Sequence, residues 1–85
     1  MTTTLEIRSL SAPAALPVRV SGLDFVPVRE SLWRVTSVRG GVRGHIERVT
    51  VDGSHRYTAR LSRGGGRTVP IGEFWTAQAA AESLA

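Results

Sequence analysis

The dipeptide Asp52-Gly53, set between the runs 45–51 and 55–61, constrains this chain more than any other feature. Both central positions of a type I′ turn need a positive φ, which Gly adopts freely and Asp tolerates. Asp-Gly between two runs of strand character therefore predicts a two-residue β-hairpin. Residues 32–38, ahead of it, are also β-branched, aromatic and alternating, and Arg39-Gly40-Gly41 breaks them off. Beyond the hairpin, Gly64-Gly65-Gly66 forms a flexible loop tip, and residues 68–71 can return as a fourth short strand. Thr76 is placed to cap a helix by accepting a bond from a free backbone N–H. Residues 77–84 are good helix formers, with Ala77, Ala80, Ala81 and Leu84 on one face at helical spacing. A helix that short is unstable alone, so it must lie on the sheet.

The expected fold class is α+β: a three- to four-stranded antiparallel sheet packed against one short C-terminal helix, over residues 32–85. Residues 1–31 read as an N-terminal extension of one or two short strands, or an arm. Leu5, Ile7 and Val18-Arg19-Val20 alternate apolar and polar, while Pro13, Pro17 and Pro27 confine any strand here to an edge or an end.

Eighty-five residues make one domain. A chain of that size buries only about 60–65% of its unfolded surface, so its core is small. The large aromatics are Phe25, Trp33, Tyr57, Phe74 and Trp75, which puts most of that core after residue 32. The absence of cysteine excludes disulfides and thiolate metal sites, and fits a reducing compartment. No run of 18 apolar residues occurs, so no membrane span is expected. The mildly apolar stretch 10–20 lacks a basic start and is interrupted by Pro13, Pro17 and Arg19, against a signal peptide. The expected location is the cytoplasm, or the host cytoplasm for a phage-encoded protein.

Charge is unevenly placed. Residues 32–67 carry Arg34, Arg39, Arg43, Arg48, Arg56, Arg60, Arg63 and Arg67 against only Glu47 and Asp52. Residues 1–31 balance to zero, and residues 68–85 carry only Glu73 and Glu82, so the chain total is +4. Such a distribution predicts a positive patch and not a uniformly basic chain. All eleven cations are Arg. Codon bias in a GC-rich genome accounts for the choice of Arg over Lys, but not for the clustering.

Period-two alternation sorts the strands onto two faces. Trp33 with Val35, Val49 with Val51, and Tyr57 with Ala59 and Leu61 form an apolar face, which should receive the helix with Phe74 or Trp75 at the junction. The opposite face collects Arg34, Thr36, Arg48, Thr50, Arg56, Thr58 and Arg60. Ile46 falls on the Arg48 side in this register, so either a bulge near Glu47 turns it inward or the register of that strand is different. A solvated outer face normally mixes both charge signs, whereas this one holds no acid except Glu47.

The run Leu32-Trp33-Arg34-Val35, then Gly44-His45-Ile46, Tyr57-Thr58-Ala59-Arg60 and Ile71-Gly72-Glu73-Phe74-Trp75-Thr76 ahead of an Ala-rich helix, resembles small three-stranded-sheet-plus-helix DNA-binding domains. These are the arm-site-binding N-terminal domains of phage and transposon integrases and the plant ethylene-response-factor type domain. The resemblance covers residues 32–84 and rests on short motifs. It implies duplex DNA as partner, with the sheet entering the major groove and Arg34, Arg48, Arg56 and Arg60 as contacts. It also implies a small actinobacterial or phage protein. The 31-residue extension and the lack of an attached catalytic domain depart from the integrase pattern, so integrase activity itself does not carry over.

Catalytic chemistry has no foothold. His45 and His55, with Glu47 or Asp52, reach metal-ligand spacing only in one special register, so no metal is expected. Asp52, Ser54 and His55 are neighbours in a tight turn and cannot align as a triad. No helix follows Gly40-Gly41-Val42-Arg43-Gly44 to hold a phosphate, and Arg63-Gly64-Gly65-Gly66-Arg67 is a single copy of an RNA-binding type of segment. The expectation is a binding module without cofactor, not an enzyme. The rival to DNA is a protein-interaction or virion structural module, pairing through sheet edges or meeting an acidic partner.

Overall fold

The computed structural model describes residues 15–85. The expected strand character around Leu5 and Ile7 lies outside them. Five strands follow one another: β1 (Leu23–Arg29), β2 (Leu32–Ser37), β3 (Val42–Val51), β4 (Ser54–Gly64) and β5 (Arg67–Phe74), ahead of helix α1 (Ala77–Glu82). The sheet order is β1-β2-β3-β4-β5, and every neighbouring pair is antiparallel.

The class is α+β with one short C-terminal helix, but the sheet has five strands where three or four were expected. The additional strand is β1, inside the stretch taken for an extension. Pro27 was expected to confine any strand here to an edge or an end, and β1 is an edge strand, where a missing N–H is tolerated. Pro70 sits in β5, the opposite edge. The register shifts beside each proline, between Pro27 and Arg29 and opposite Ala59 and Arg60.

The β3–β4 hairpin forms as its turn dictates. Asp52 has φ 51° and Gly53 φ 79°, both positive as a type I′ turn requires, with Val51 facing Ser54 across it. Pairing then runs without a shift through Arg48↔Tyr57, Ile46↔Ala59 and Gly44↔Leu61. Ile46 is fully buried between Trp33 and Ala59, on the same face as both. No bulge occurs near Glu47, which corrects the expected register of β3. Ile46 turns inward, Arg48 and Thr50 share its face, and Val49 and Val51 point to the other.

The covered face carries Trp33, Val35, Ile46 and Ala59 at its centre, flanked by Phe25, Tyr57, Leu61 and Phe74. α1 lies on it through Ala77, Ala80 and Ala81, with Leu84 beyond. Alanines let a helix approach the sheet closely, opposite the small Ala59. Thr76 caps α1 as expected, its Oγ1 accepting from the Ala79 N–H at 3.1 Å. At the other end Arg43 donates from Nε to the Leu84 carbonyl at 3.1 Å and from a terminal nitrogen to that of Ala85 at 3.4 Å. Beside the helix runs the extended segment 16–20, which buries Leu16 and packs Val18 and Val20 on the core. Gln78 holds it, donating to the Arg19 carbonyl at 3.2 Å.

Gly44 sits where β3 lies tight against the β4 backbone. A Cβ there would run into the Arg60 carbonyl oxygen and lie 3.2 Å from Leu61 Cα. Both are backbone atoms of a paired strand and cannot swing aside. Gly44→Ala should lower unfolding stability by about 1–3 kcal/mol, read as a reduced urea midpoint. An unchanged midpoint would show that the ladder yields freely at this point.

Candidate nucleic-acid interface

α1 and the segment 16–20 cover one face of the sheet, and the described residues leave the other open. On the open face stand Arg34 and Thr36 of β2, and Arg56, Thr58 and Arg60 of β4. These five were expected together, and the ladder brings them together. Arg48 and Thr50, expected with them, stand on the covered side, because the β3 register is fixed by the turn. Arg48 has a local role there. Its guanidinium lies 6.0 Å from the Trp33 ring centroid, and it donates to Ser31 Oγ at 3.3 Å. Thr50 Oγ1 meets His55 Nδ1 at 3.3 Å.

Three further residues bring chemistry to the open face. Trp75 was placed as a possible junction residue of the core, but it is 68% exposed, because Phe74 takes the inward position. The Arg56 guanidinium lies over its ring, 4.1 Å from the centroid. His45 of β3 faces Arg34 on one side and Arg60 on the other. Burial first, and the Arg34 charge second, hold its pKa below the ordinary histidine value. Thr68 of β5 accepts from Arg60 Nε at 3.0 Å, which steadies that side chain.

The open face was expected to hold no acid except Glu47, but it carries three. Glu47 and Glu73 flank Thr58, and Asp24 faces Thr36 from the edge strand. Two of these acids are engaged, Glu47 with Arg29 at 3.3 Å and Glu73 with Arg56 at 3.5 Å. Solvent-exposed pairs of this kind contribute about 0–1 kcal/mol, so a phosphate can displace the carboxylate from Arg56 at small cost. Apolar Val49 and Val51 also look outward on β3.

No protein family, curated protein or solved structure matches the chain. The chemistry of this face is therefore carried by its own geometry. Among the described residues no group of three His, Cys, Asp or Glu could hold a metal, and His45 and His55 stand on opposite faces of the sheet. No described helix is long and apolar enough to cross a membrane.

A count outward from the Asp52-Gly53 turn would have found His45, since a two-residue loop forces His45 opposite Arg60. Trp75 follows from alternation along β5, one step beyond Phe74.

Proposed function

We propose that this protein is a DNA-binding module, not an enzyme, and that it lays the open face of its sheet against duplex DNA in the cytoplasm. The observation that carries this is the convergence of Arg34, Arg56 and Arg60 on a face that no described element covers, with exposed Trp75 beside them. β2, β3 and β4 span about 10 Å between their outer axes, close to the roughly 12 Å width of the major groove. The hairpin tip bearing Arg63 and Arg67 extends the positive surface beyond the strands. The resemblance to sheet-reading integrase and ethylene-response-factor domains points the same way. Thr36 and Thr58 supply hydroxyls for phosphate or base edges.

If four to six arginines contact phosphates, log K should fall against log salt with a slope of about −4 to −5. Gel-shift titrations at two salt concentrations measure it. No binding to any duplex at low salt would sink the proposal.

One observation favours a second reading, a protein-interaction module. Val26 and Val28 on β1, and Val69 and Ile71 on β5, expose apolar surface along two open strand edges. A partner strand added there would leave Arg34 and Arg60 free, so their replacement would not disturb it.

A further inference from the structure

One row crosses the open face at a right angle to the strands: Val26, Arg34, His45, Arg60 and Pro70, from β1 to β5. Its three central members can all carry positive charge. Directly opposed like charges in a sheet are destabilising, because neighbouring Cβ atoms are only about 5 Å apart. The row holds no acid to relieve them. The acids of adjoining rows are drawn away, Glu47 to Arg29 and Glu73 to Arg56. Asp24 lies beyond Arg34, on the edge strand.

The donors of the row are left open. Arg34 is exposed and makes no hydrogen bond or ion pair among the described residues. Arg60 is tied through Nε to Thr68 Oγ1, while its two terminal nitrogens find no partner among the described residues. The two arginine stems rise about 10 Å apart, on either side of the His45 ring. Arg60 leans toward Thr68 on the β5 side of β4, so a seat closes when its guanidinium turns back toward Arg34 over the imidazole, leaving a gap the size of a tetrahedral oxyanion.

We infer that Arg34, His45 and Arg60 form a seat for one phosphate group, and that filling it draws a proton onto His45. In the DNA-binding reading, on which this inference rests, the phosphate belongs to the duplex backbone. A free phosphate group offers the same chemistry.

The groups facing His45 decide the sign. Burial first, and the Arg34 charge from β2 second, oppose its charged form, while Arg60 from β4 is tied to Thr68 and Glu47, two residues along β3, is held by Arg29; Thr36, Thr58 and Ser62 are neutral. The free protein therefore keeps His45 neutral to lower pH than an ordinary histidine. A bound phosphate cancels the repulsion and raises the midpoint. Between the free and bound midpoints binding takes up a proton, so affinity rises as pH falls through that window and levels off below it.

The test measures duplex affinity of the full chain by fluorescence anisotropy from about pH 8 to about pH 5.5 at constant salt. His45→Gln and His55→Gln are run beside it. In parallel, the His45 ring protons are titrated by NMR with and without sodium sulfate at matched ionic strength. Sulfate is a tetrahedral oxyanion that stays doubly charged throughout. The expected result is about tenfold tighter duplex binding at the acid end, one unit of midpoint shift being a factor of ten. That gain is lost in His45→Gln and kept in His55→Gln, and sulfate raises the His45 midpoint. Duplex binding without the pH dependence, or with it surviving in His45→Gln, overturns the inference and leaves the DNA reading standing. No duplex binding, with sulfate still raising the midpoint, keeps the seat for a free phosphate group and removes the DNA reading. Neither response removes both. Arg34→Gln is a check that needs no change at position 45: it should raise the His45 midpoint of the free protein and weaken both ligands, and an unmoved midpoint overturns the seat.

Discussion

Replacing Arg34 and Arg56 together with alanine should weaken duplex binding at least thirtyfold and leave the fold intact. Each good contact to a base edge or phosphate is worth about 1–3 kcal/mol, so the pair removes about 2–6 kcal/mol. Arg34 is exposed, and the partners of Arg56 are Trp75 and Glu73, both at the surface, so neither side chain supports the core. Far-ultraviolet circular dichroism should be unchanged. Arg19→Ala is the control, because Arg19 belongs to the segment on the covered side. Arg48→Ala is the sharper comparison. Charge counting puts Arg48 beside Arg56, but the ladder turns it to the other face, so its loss should leave affinity per folded molecule unchanged. If either single change costs as much as the open-face pair, the nucleic acid is held by diffuse charge and the sheet-in-groove mechanism is wrong.

Ile46→Ala should destabilise the domain by about 2–5 kcal/mol, the usual range for emptying a buried aliphatic site. Domains of this kind have only about 5–15 kcal/mol in all, and a small core lies toward the lower end. Ile46 is fully buried and fills the space between Trp33, Ala59 and the helix. Backbone pairing on both sides of β3 leaves little room for collapse around the gap. Val49→Ala, on the opposite face of the sheet though only three residues on, should cost less than about 1 kcal/mol because Val49 looks outward. Urea unfolding of the two variants compares them directly. Equal losses, or a larger loss at Val49, would overturn the β3 register.

The hairpin, the helix and its cap were all legible, because each rests on local chemistry: Asp-Gly for the turn, Thr76 for the cap, alanine spacing for the buried stripe. The β3 register was legible too, though alternation alone pointed the wrong way. Val49 and Val51 attract an inward assignment by composition, whereas counting outward from Asp52-Gly53 sets Ile46 against Ala59 and Arg48 against Tyr57. A turn of fixed length outranks the hydrophobicity of any one residue, since a slip of one would break the whole ladder. A short edge strand within residues 1–31 was legible from Pro27, but not that β1 pairs with β2 and makes the sheet five-stranded, because no turn signal as strong as Asp52-Gly53 joins them. The seating of Leu16 had no local signal at all. It depends on a contact with a helix at the far end of the chain. On the open face, the arginines and threonines of β2 and β4 were readable, while His45 and Trp75 emerge only once strands are aligned.

The strand order β1-β2-β3-β4-β5 also governs how the chain reaches this structure. Every strand meets its partner across a single short turn, so each pairing closes a small loop at little entropic expense. A sheet assembled from near neighbours folds faster than a sandwich or barrel of equal size, whose pairings wait on distant segments. The bonds that close the helix onto the sheet and the segment 16–20 reach farther: Arg43 to Leu84 joins positions 41 residues apart, and Gln78 to Arg19 joins positions 59 residues apart. Segment 16–20 can dock only after sheet and helix exist to receive it, which makes it the last piece to settle and the first to let go.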